Sequence, residues 1–495
     1  MGCSEPRIAD FTASLNAADP IASLRAGAIG DGIAIPGPFG TRPLLYADHV
    51  ASGRALRQVE AFVAEQVLPF YANSHTEASF CGRAMTRLRR EARQFIADEC
   101  GADARFATIF AGAGATAGLN RLVSLLDIAD SAASGTAPLV LIGPYEHHSN
   151  ILPWRESGAE IVEIPEAEAG GPDLAVLAQV LRERAAGRLT VGSFSAASNV
   201  TGILTDADAV TDLLKRHGAL AVWDYACGAP YLSTDMRAGT PFEKDAVVLS
   251  GHKFLGGPGA SGILIVRRDA VRRATPSHAG GGTVRFVSPW GHDFTEDLAA
   301  REEAGTPNVV GDIRTALCFA VKAAIGQDWL DRRHETLLSR ALSRWSDHPD
   351  IVLLGNPNAA RRLPIFAFRI RDRRNGGFLH PQLATRLLSD LHGIQARGGC
   401  ACAGPYAHRL LEINAQRSAA LRAAILSGDE LRKPGWTRLN LSALLTEDKL
   451  ERILAAVETL ARDAEPWLSR YRADPATARF RFEDEPARTD TLVPA

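Results

Sequence analysis

The chain has 495 residues, 46% of them hydrophobic and 23% charged, with a formal net charge of −2. This composition suits a folded globular protein and excludes collagen-like or extensively disordered structure, and the length implies a large domain with a smaller companion. There is no lysine and arginine block to bind nucleic acid and no apolar run of about 18 residues to span a bilayer, and the start MGCSEPRIAD lacks a secretory pattern, so a cytoplasmic protein is expected.

Residues 1–45, rich in Gly, Pro and Ala, read as an irregular N-terminal arm. Helix patterns follow at 52–69 and 83–99, separated by the polar YANSHTEAS. From Arg105 to Arg267 short apolar runs (RFATIFA, APLVLIG, AEIVEIP, RLTVGSFS, LAVWDYA, DAVVLSG, GILIVRR) alternate with helical stretches, notably 174–186 and 207–217. Such alternation predicts an α/β domain with a mostly parallel sheet, whose ligands sit beyond the carboxyl ends of the strands. Past about residue 325 long helices (326–347, 381–392, 447–463) surround strands such as PIFAFRI and RLNLS, which predicts a smaller α/β domain. The expected organisation is an arm (1–45), a large domain (46–325), a small C-terminal domain (326–471) and a charged surface extension (472–495).

The residues that follow the strands are the candidates for chemistry. GAGATAGLN leads into a helix whose first N–H groups can hold an anion, with Thr116 adding a hydroxyl; a tight-packing turn is the plain alternative. PYEHHSNILPW contains His147, able to stack on a flat ring or simply to pack. Asn199 follows the next strand, and Asp224, a cofactor anchor or a helix cap, ends the one after it. In DAVVLSGHKFLGGPGASGILIV, Lys253 lies between two apolar strands, where a solvated surface charge explains it poorly. An amine there can form a Schiff base, and Ser250 and His252 can reach a phosphate. The seven cysteines are an odd number without paired spacing, which argues against a disulfide framework, yet two of them stand one residue apart in RGGCACAGP. A zinc site there would need a second ligand pair that the sequence does not supply.

Taken in order, the glycine loop, EHHSNILPW, SNVTG, the Asp224 strand end, SGHKF, REEAGTPN and RGGCACAGP resemble the fold-type I pyridoxal-phosphate (PLP) enzymes of the class V aminotransferase family, and within them the cysteine desulfurases and selenocysteine lyases. The resemblance spans roughly residues 40–465. It implies that Lys253 binds PLP covalently and that Asp224 keeps the pyridine nitrogen protonated. His147 would stack on the ring and Asn199 would lie beside ring and substrate. Thr116, Ala115, Ser250 and His252 would surround the phosphate, and Thr306 of AGTPN would reach a neighbouring subunit's phosphate, implying a homodimer. Cys402 matches the nucleophilic thiolate that takes sulfur from the bound amino acid as a persulfide while alanine leaves, with a protein as a candidate sulfur acceptor. Arg438 of GWTRLNLS matches the arginine that grips the substrate carboxylate, and Arg397 and His75 are placed near the substrate. No metal is implied.

Two departures stand out. Cys227 occupies the place where many relatives have a glutamine against the ring oxygen, and Ala115 and Ala117 replace polar residues of the loop. The segment between Cys402 and Arg438 is also long, with an apparent extra helix near AQRSAALRAAILSGDELRKPG suited to covering the site or docking an acceptor. The leading expectation is a cysteine desulfurase. A PLP C–S β-lyase acting on cysteine or a modified cysteine, a transaminase and a catalytically idle scaffold are the alternatives.

Overall fold

The computed structural model describes residues 5–74 and 76–483. The described residues divide into two compact units, one within residues 5–29, 49–336 and 356–363 and one within residues 30–48, 337–355 and 364–483.

The first unit is built on seven strands: β1 (Phe106–Gly112), β2 (Leu139–Ile142), β3 (Glu160–Glu163), β4 (Thr190–Ser195), β5 (Leu220–Asp224), β6 (Ala246–Ser250) and β7 (Gly262–Arg267). They lie in the order β1-β7-β6-β5-β4-β2-β3. The run from β6 to β3 is parallel, and β7 is antiparallel to both neighbours. Every residue of β2, β4 and β6 is buried. That is why these strands read as continuous apolar runs rather than as alternating ones: helices cover both faces of such a sheet. Leu119 and Leu122 of one covering helix pack with Val140, Val191, Val222, Val248 and Leu264 of the strands in one core. The helices of this unit include α1 (Ile8–Ser14), α2 (Pro20–Gly27), α3 (Phe80–Glu99), α4 (Gly114–Leu125), α5 (Leu174–Arg184), α6 (Ala207–Arg216) and α7 (Val309–Ile325).

The N-terminal residues are therefore not irregular throughout. Asp19 caps α2 by accepting from the Ala22 N–H at 2.9 Å, Pro20 starts it, and Ile8 and Phe11 of α1 are buried. Both helices are too short to show a period in the sequence and owe their stability to that burial. The stretch expected as one helix at 52–69 is α-helical only over Arg57–Phe62, then π-helical over Val63–Val67 and 3-10 over Leu68–Phe70. Pro69 has no N–H to continue the ladder.

The second unit carries an antiparallel sheet of β8 (Ile351–Leu353), β9 (Ile365–Ile370), β10 (Arg397–Gly399) and β11 (Trp436–Asn440), in the order β8-β9-β11-β10. Its helices include α8 (Gln327–Trp345, from Leu337 onward in this unit), α9 (Pro381–His392), α10 (Gly404–Leu410), α11 (Ala415–Leu426) and α12 (Glu447–Asp463). Trp345, Phe366, Phe368, Leu387, Leu388, Leu450 and Val457 share its core, each such side chain contributing about 1.5–3 kcal/mol by leaving water. The C-terminal residues do more than extend over the surface. Tyr471–Asp474 pairs with Arg479–Phe482 as a hairpin, Tyr471 and Phe482 enter the core, and the Tyr471 hydroxyl donates to Asp390 Oδ2 at 2.7 Å. Among the described residues no helix is long and apolar enough to cross a membrane.

Candidate active site

In the first unit the candidate residues gather where the strands end. Gly114 opens α4 at φ 67°, and a Cβ there would sit 2.8 Å from Ser250 Oγ and 3.2 Å from His252 Cε1. Only glycine lets the helix start come this close to the β6 end. The next N–H, of Ala115, donates to Ser250 Oγ at 3.0 Å. Burial, and then the charge of Lys253, push the His252 imidazole below its ordinary range. Thr116 Oγ1 lies 2.7 Å from Ser149 Oγ, which in turn lies 3.1 Å from His147 Nδ1. The Ser149 N–H donates to that same Nδ1 at 3.1 Å, which puts the proton of a neutral His147 on Nε2. A cavity of about 540 Å³ opens beside this group, lined by Thr116, Asn120, His148, Ser149, Leu152 and Arg273 among others.

Asp224 ends β5 and is 5% exposed. Burial raises its pKa, while the Ala226 N–H, donating to Oδ1 at 2.7 Å, and the charge of Lys253 oppose the rise. The acid and the lysine therefore feel each other. Lys253 sits in the turn Gly251–Lys253 directly after β6. Gly53 meets the Lys253 turn from the other side: its N–H donates to the His252 carbonyl at 2.9 Å, and a Cβ on it would fall 1.7 Å from the Phe254 oxygen. Asn199 is buried, and the Cys227 thiol donates to the neighbouring Ser198 carbonyl at 3.7 Å. Thr306 lies exposed between Gly305 and Pro307, on the loop before α7, and makes no hydrogen bond among the described residues. His75 lies outside the described residues.

Two acids that the motifs contain, but whose work the sequence does not reveal, hold this half together. Glu146 is buried and accepts from Asn150 Nδ2 at 2.5 Å, the Ser195 N–H at 2.9 Å and Ser195 Oγ at 2.6 Å. It thereby ties the residue before His147 to the end of β4. Burial pushes its carboxyl up to about 7, against those hydrogen bonds and helped by Asp224. Glu303 of REEAGTPN takes Arg89 at 2.5 Å, Arg93 at 2.6 Å and the Phe110 N–H at 2.8 Å, which fixes the chain three residues before Thr306.

In the second unit, β10 leads into the cysteine loop. Ala401 and Cys402 adopt left-handed backbone at φ 53° and 56°, a conformation that side-chain-bearing residues rarely take in succession. The loop closes with the Ala403 N–H donating to the Cys400 carbonyl at 3.1 Å. Among the described cysteines only Cys402 is exposed; Cys100, Cys227 and Cys318 are buried, and burial pushes the Cys100 and Cys318 thiols up to about 12. Arg397 of β10 and Arg438 of β11 stand directly opposite each other. Asp48 orients both, accepting from Arg438 Nη2 at 2.7 Å and Arg397 Nε at 2.9 Å. The sequence offers YADHVASG as its only hint of Asp48 and Gly53. No cluster of three or more possible metal ligands occurs among the described residues.

The residues of the first unit fit pyridoxal phosphate. The glycine-lined helix start, with the Ala115 N–H and the Ser250 hydroxyl, suits a phosphate. A buried carboxyl that feels a lysine suits a protonated ring nitrogen on one side and a covalent anchor on the other.

The family description Aminotransferase class-V matches residues 45–427. A protein of Vibrio cholerae called a probable cysteine desulfurase is 29% identical over 423 residues, covering 84% of this chain and 93% of that one. A cysteine desulfurase of Salmonella agona is 29% identical over 374 residues, covering 73% and 85%. Among solved structures, a cysteine desulfurase from Thermococcus onnurineus superposes with a TM-score of 0.69 at 23% identity, covering 85% of this chain and 95% of that one, which establishes the fold. With most of its length matched, the chain belongs to the class-V aminotransferase family of fold-type I, pyridoxal-phosphate-dependent enzymes.

Proposed function

We propose that this protein is a PLP-dependent cysteine desulfurase, which takes the sulfur of L-cysteine onto Cys402 as a persulfide and releases L-alanine. The observation that carries the reading is Cys402, the exposed thiol on a loop held in left-handed backbone. A transaminase or a β-lyase has no use for it. When bound, the cofactor draws electrons from the substrate's α-carbon and so labilises the bond to sulfur.

The chain's own residues do the rest. Lys253 anchors the cofactor and, once displaced by substrate, takes the Cα proton on its amine. Asp224 holds a proton at the ring nitrogen, a task suited to a carboxylate that is buried yet opposed by one nearby cation. His147 would stack on the ring, its imidazole held in place by the Ser149 N–H at Nδ1. Arg438, steered by Asp48, grips the substrate carboxylate, with Arg397 beside it. The Cys402 thiolate attacks the substrate sulfur; the C–S bond breaks and the carbon skeleton, reprotonated, leaves as alanine. The exposed Thr306 loop supports a homodimer in which each Thr306 serves the partner's cofactor. A thiol acceptor would take the sulfur onward, and the cytoplasm is the compartment that suits such exchange.

The test is to give the PLP-loaded enzyme L-cysteine and a reductant and to quantify alanine, pyruvate and sulfide in wild type and Cys402→Ala. Matched alanine and sulfide that vanish in the variant support the reading. Pyruvate formed at the same rate in both proteins overturns it in favour of a β-lyase.

A further inference from the structure

The long segment after Cys402 brings a charge to the second unit that no acid there answers. Arg369 lies on β9 between Phe368 and Ile370, which point into the core, so its own side chain occupies the other face. It is half-buried, and its guanidinium carbon lies 3.5 Å from the centroid of the Phe378 ring. Arg371 lies over the same ring at 5.5 Å, and burial first, then Arg417 at the start of α11, then Arg371, push the Arg369 pKa below its ordinary value. Among the described residues neither Arg369 nor Arg417 has an ion pair. The acids close by are engaged elsewhere: Asp350 binds Arg373 at 2.5 Å, and Asp372 accepts from the Arg374 and Asn375 N–H groups. Stacking on Phe378 offsets part of the cost of burying Arg369, but guanidinium groups that crowd without a carboxylate are stabilised by an anion.

The position says which anion. Phe368 pairs with Thr437, and Thr437 pairs with Gly398, so the residue before Arg369 is two strands from the start of the cysteine loop, about 10 Å away. From Cys402 the chain enters α10, and His408 Nε2 of α10 lies 2.9 Å from Ser418 Oγ, next to Arg417. None of the residues of α11 is buried, and Leu426 at its end is exposed. An unpartnered helix that adds cations beside the thiol loop complements an acidic protein surface rather than a small anion, which would leave the helix uncovered.

We propose that Arg369 and Arg417, with Arg371, form the docking point for an acidic, cysteine-bearing segment of the protein that collects sulfur from Cys402. The inference rests on the desulfurase reading. In the transfer the acceptor thiolate attacks the outer sulfur of the Cys402 persulfide, the S–S bond to Cys402 breaks, a new one forms on the acceptor, and Cys402 leaves as thiolate with no net oxidation.

The experiment uses the PLP-loaded full chain, charged with L-cysteine and freed of excess. Two synthetic peptides with a single cysteine are offered, one flanked by Asp and Glu and one by Asn and Gln, and peptide persulfide is followed by mass spectrometry. The acidic peptide is expected to collect sulfur about tenfold faster at about 0.01 M salt, with the advantage gone at about 1 M, where screening shortens from about 30 to about 3 Å. Arg369→Gln with Arg417→Gln should abolish the advantage. Arg417→Glu alone, at an exposed site that folding does not depend on, should favour a lysine-flanked peptide instead. Equal rates for the two peptides at low salt, variants that keep the preference, or glutathione collecting sulfur as fast as the acidic peptide would overturn the proposal. Alanine release with reductant, measured on the same samples, should be unchanged in the variants. Its absence in wild type would instead sink the desulfurase reading itself.

Discussion

Glu146→Gln is the substitution whose effect the structure determines most directly. The carboxyl is fully buried beside His147, and its pKa is raised from 4.5 to about 7, burial outweighing the donors from Ser195 and Asn150. A group whose folded pKa lies above its unfolded one contributes stability that is complete below the unfolded value and is lost as pH rises through the folded value. For Glu146 that window runs from about pH 4.5 to about pH 7. Linkage over the interval makes the wild type lose about 2 kcal/mol between pH 5.5 and pH 8 from this residue alone. Glutamine cannot titrate, so the variant lacks that component. It also cannot accept at both positions, where the Ser195 N–H reaches one oxygen and Asn150 Nδ2 the other, and this costs a constant amount at every pH. The assay is urea unfolding of wild type and Glu146→Gln at pH 5.5 and pH 8. The wild-type advantage should shrink by about 2 kcal/mol at the higher pH. A difference between the two proteins that does not change with pH would refute the reasoning and place the ionised carboxylate at ease in its pocket.

Asp48→Asn removes the carboxylate that Arg438 and Arg397 share and should lower stability by about 3 kcal/mol, while raising KM for cysteine more than it lowers kcat; steady-state kinetics with thermal unfolding checks both. Glu303→Gln breaks the buried network with Arg89 and Arg93, at about 3–5 kcal/mol, read by calorimetry. Burial works against the charge of Glu303, but hydrogen bonding and charge from Arg93, then the charge of Arg89, keep its pKa below the usual range. Its contribution is therefore present above the unfolded pKa of about 4.5 and lost as pH falls, the opposite slope to Glu146. Brief alkylation of the native protein should label Cys402 ahead of Cys100, Cys227 and Cys318, as peptide mapping would show; equal labelling would contradict the burial of those three.

What could be read in advance follows the range of the forces involved. Strands such as Leu139–Ile142 and Ala246–Ser250 are legible because both faces are buried and the apolar run is local; α9 and α12 are legible because their period repeats for three turns or more. The helices near residues 8–27 and the hairpin at 471–482 were not, since each is too short to declare a period and is held by side chains far away in sequence. The site divides in the same way. Lys253, Asp224, His147 and Cys402 stand in compact motifs, so they could be picked out as candidates from a dozen neighbours. The acids that hold Arg397 and Arg438, and the chain ahead of Thr306, could not: Asp48 bonds residues 349 and 390 places along the chain, and Glu303 bonds Arg93 from 210 places away.

Those hidden acids share a logic. His147, Arg438 and Thr306 each sit where regular backbone hydrogen bonding alone does not fix a side chain, on a turn, on a short strand, or on a loop. In each case a buried carboxylate stands next to the functional residue or grips it: Glu146 before His147, Asp48 on Arg438, Glu303 just ahead of Thr306. A carboxylate accepts several hydrogen bonds at once and can cross-link segments that share no ladder, so it stiffens a loop in a way that apolar packing, which resists slippage weakly, does not. Substitution of these acids should therefore disturb the geometry of the site while leaving its reacting groups in place. Substitution of Lys253 or Cys402 should do the reverse, stopping the chemistry in a protein whose unfolding is unchanged.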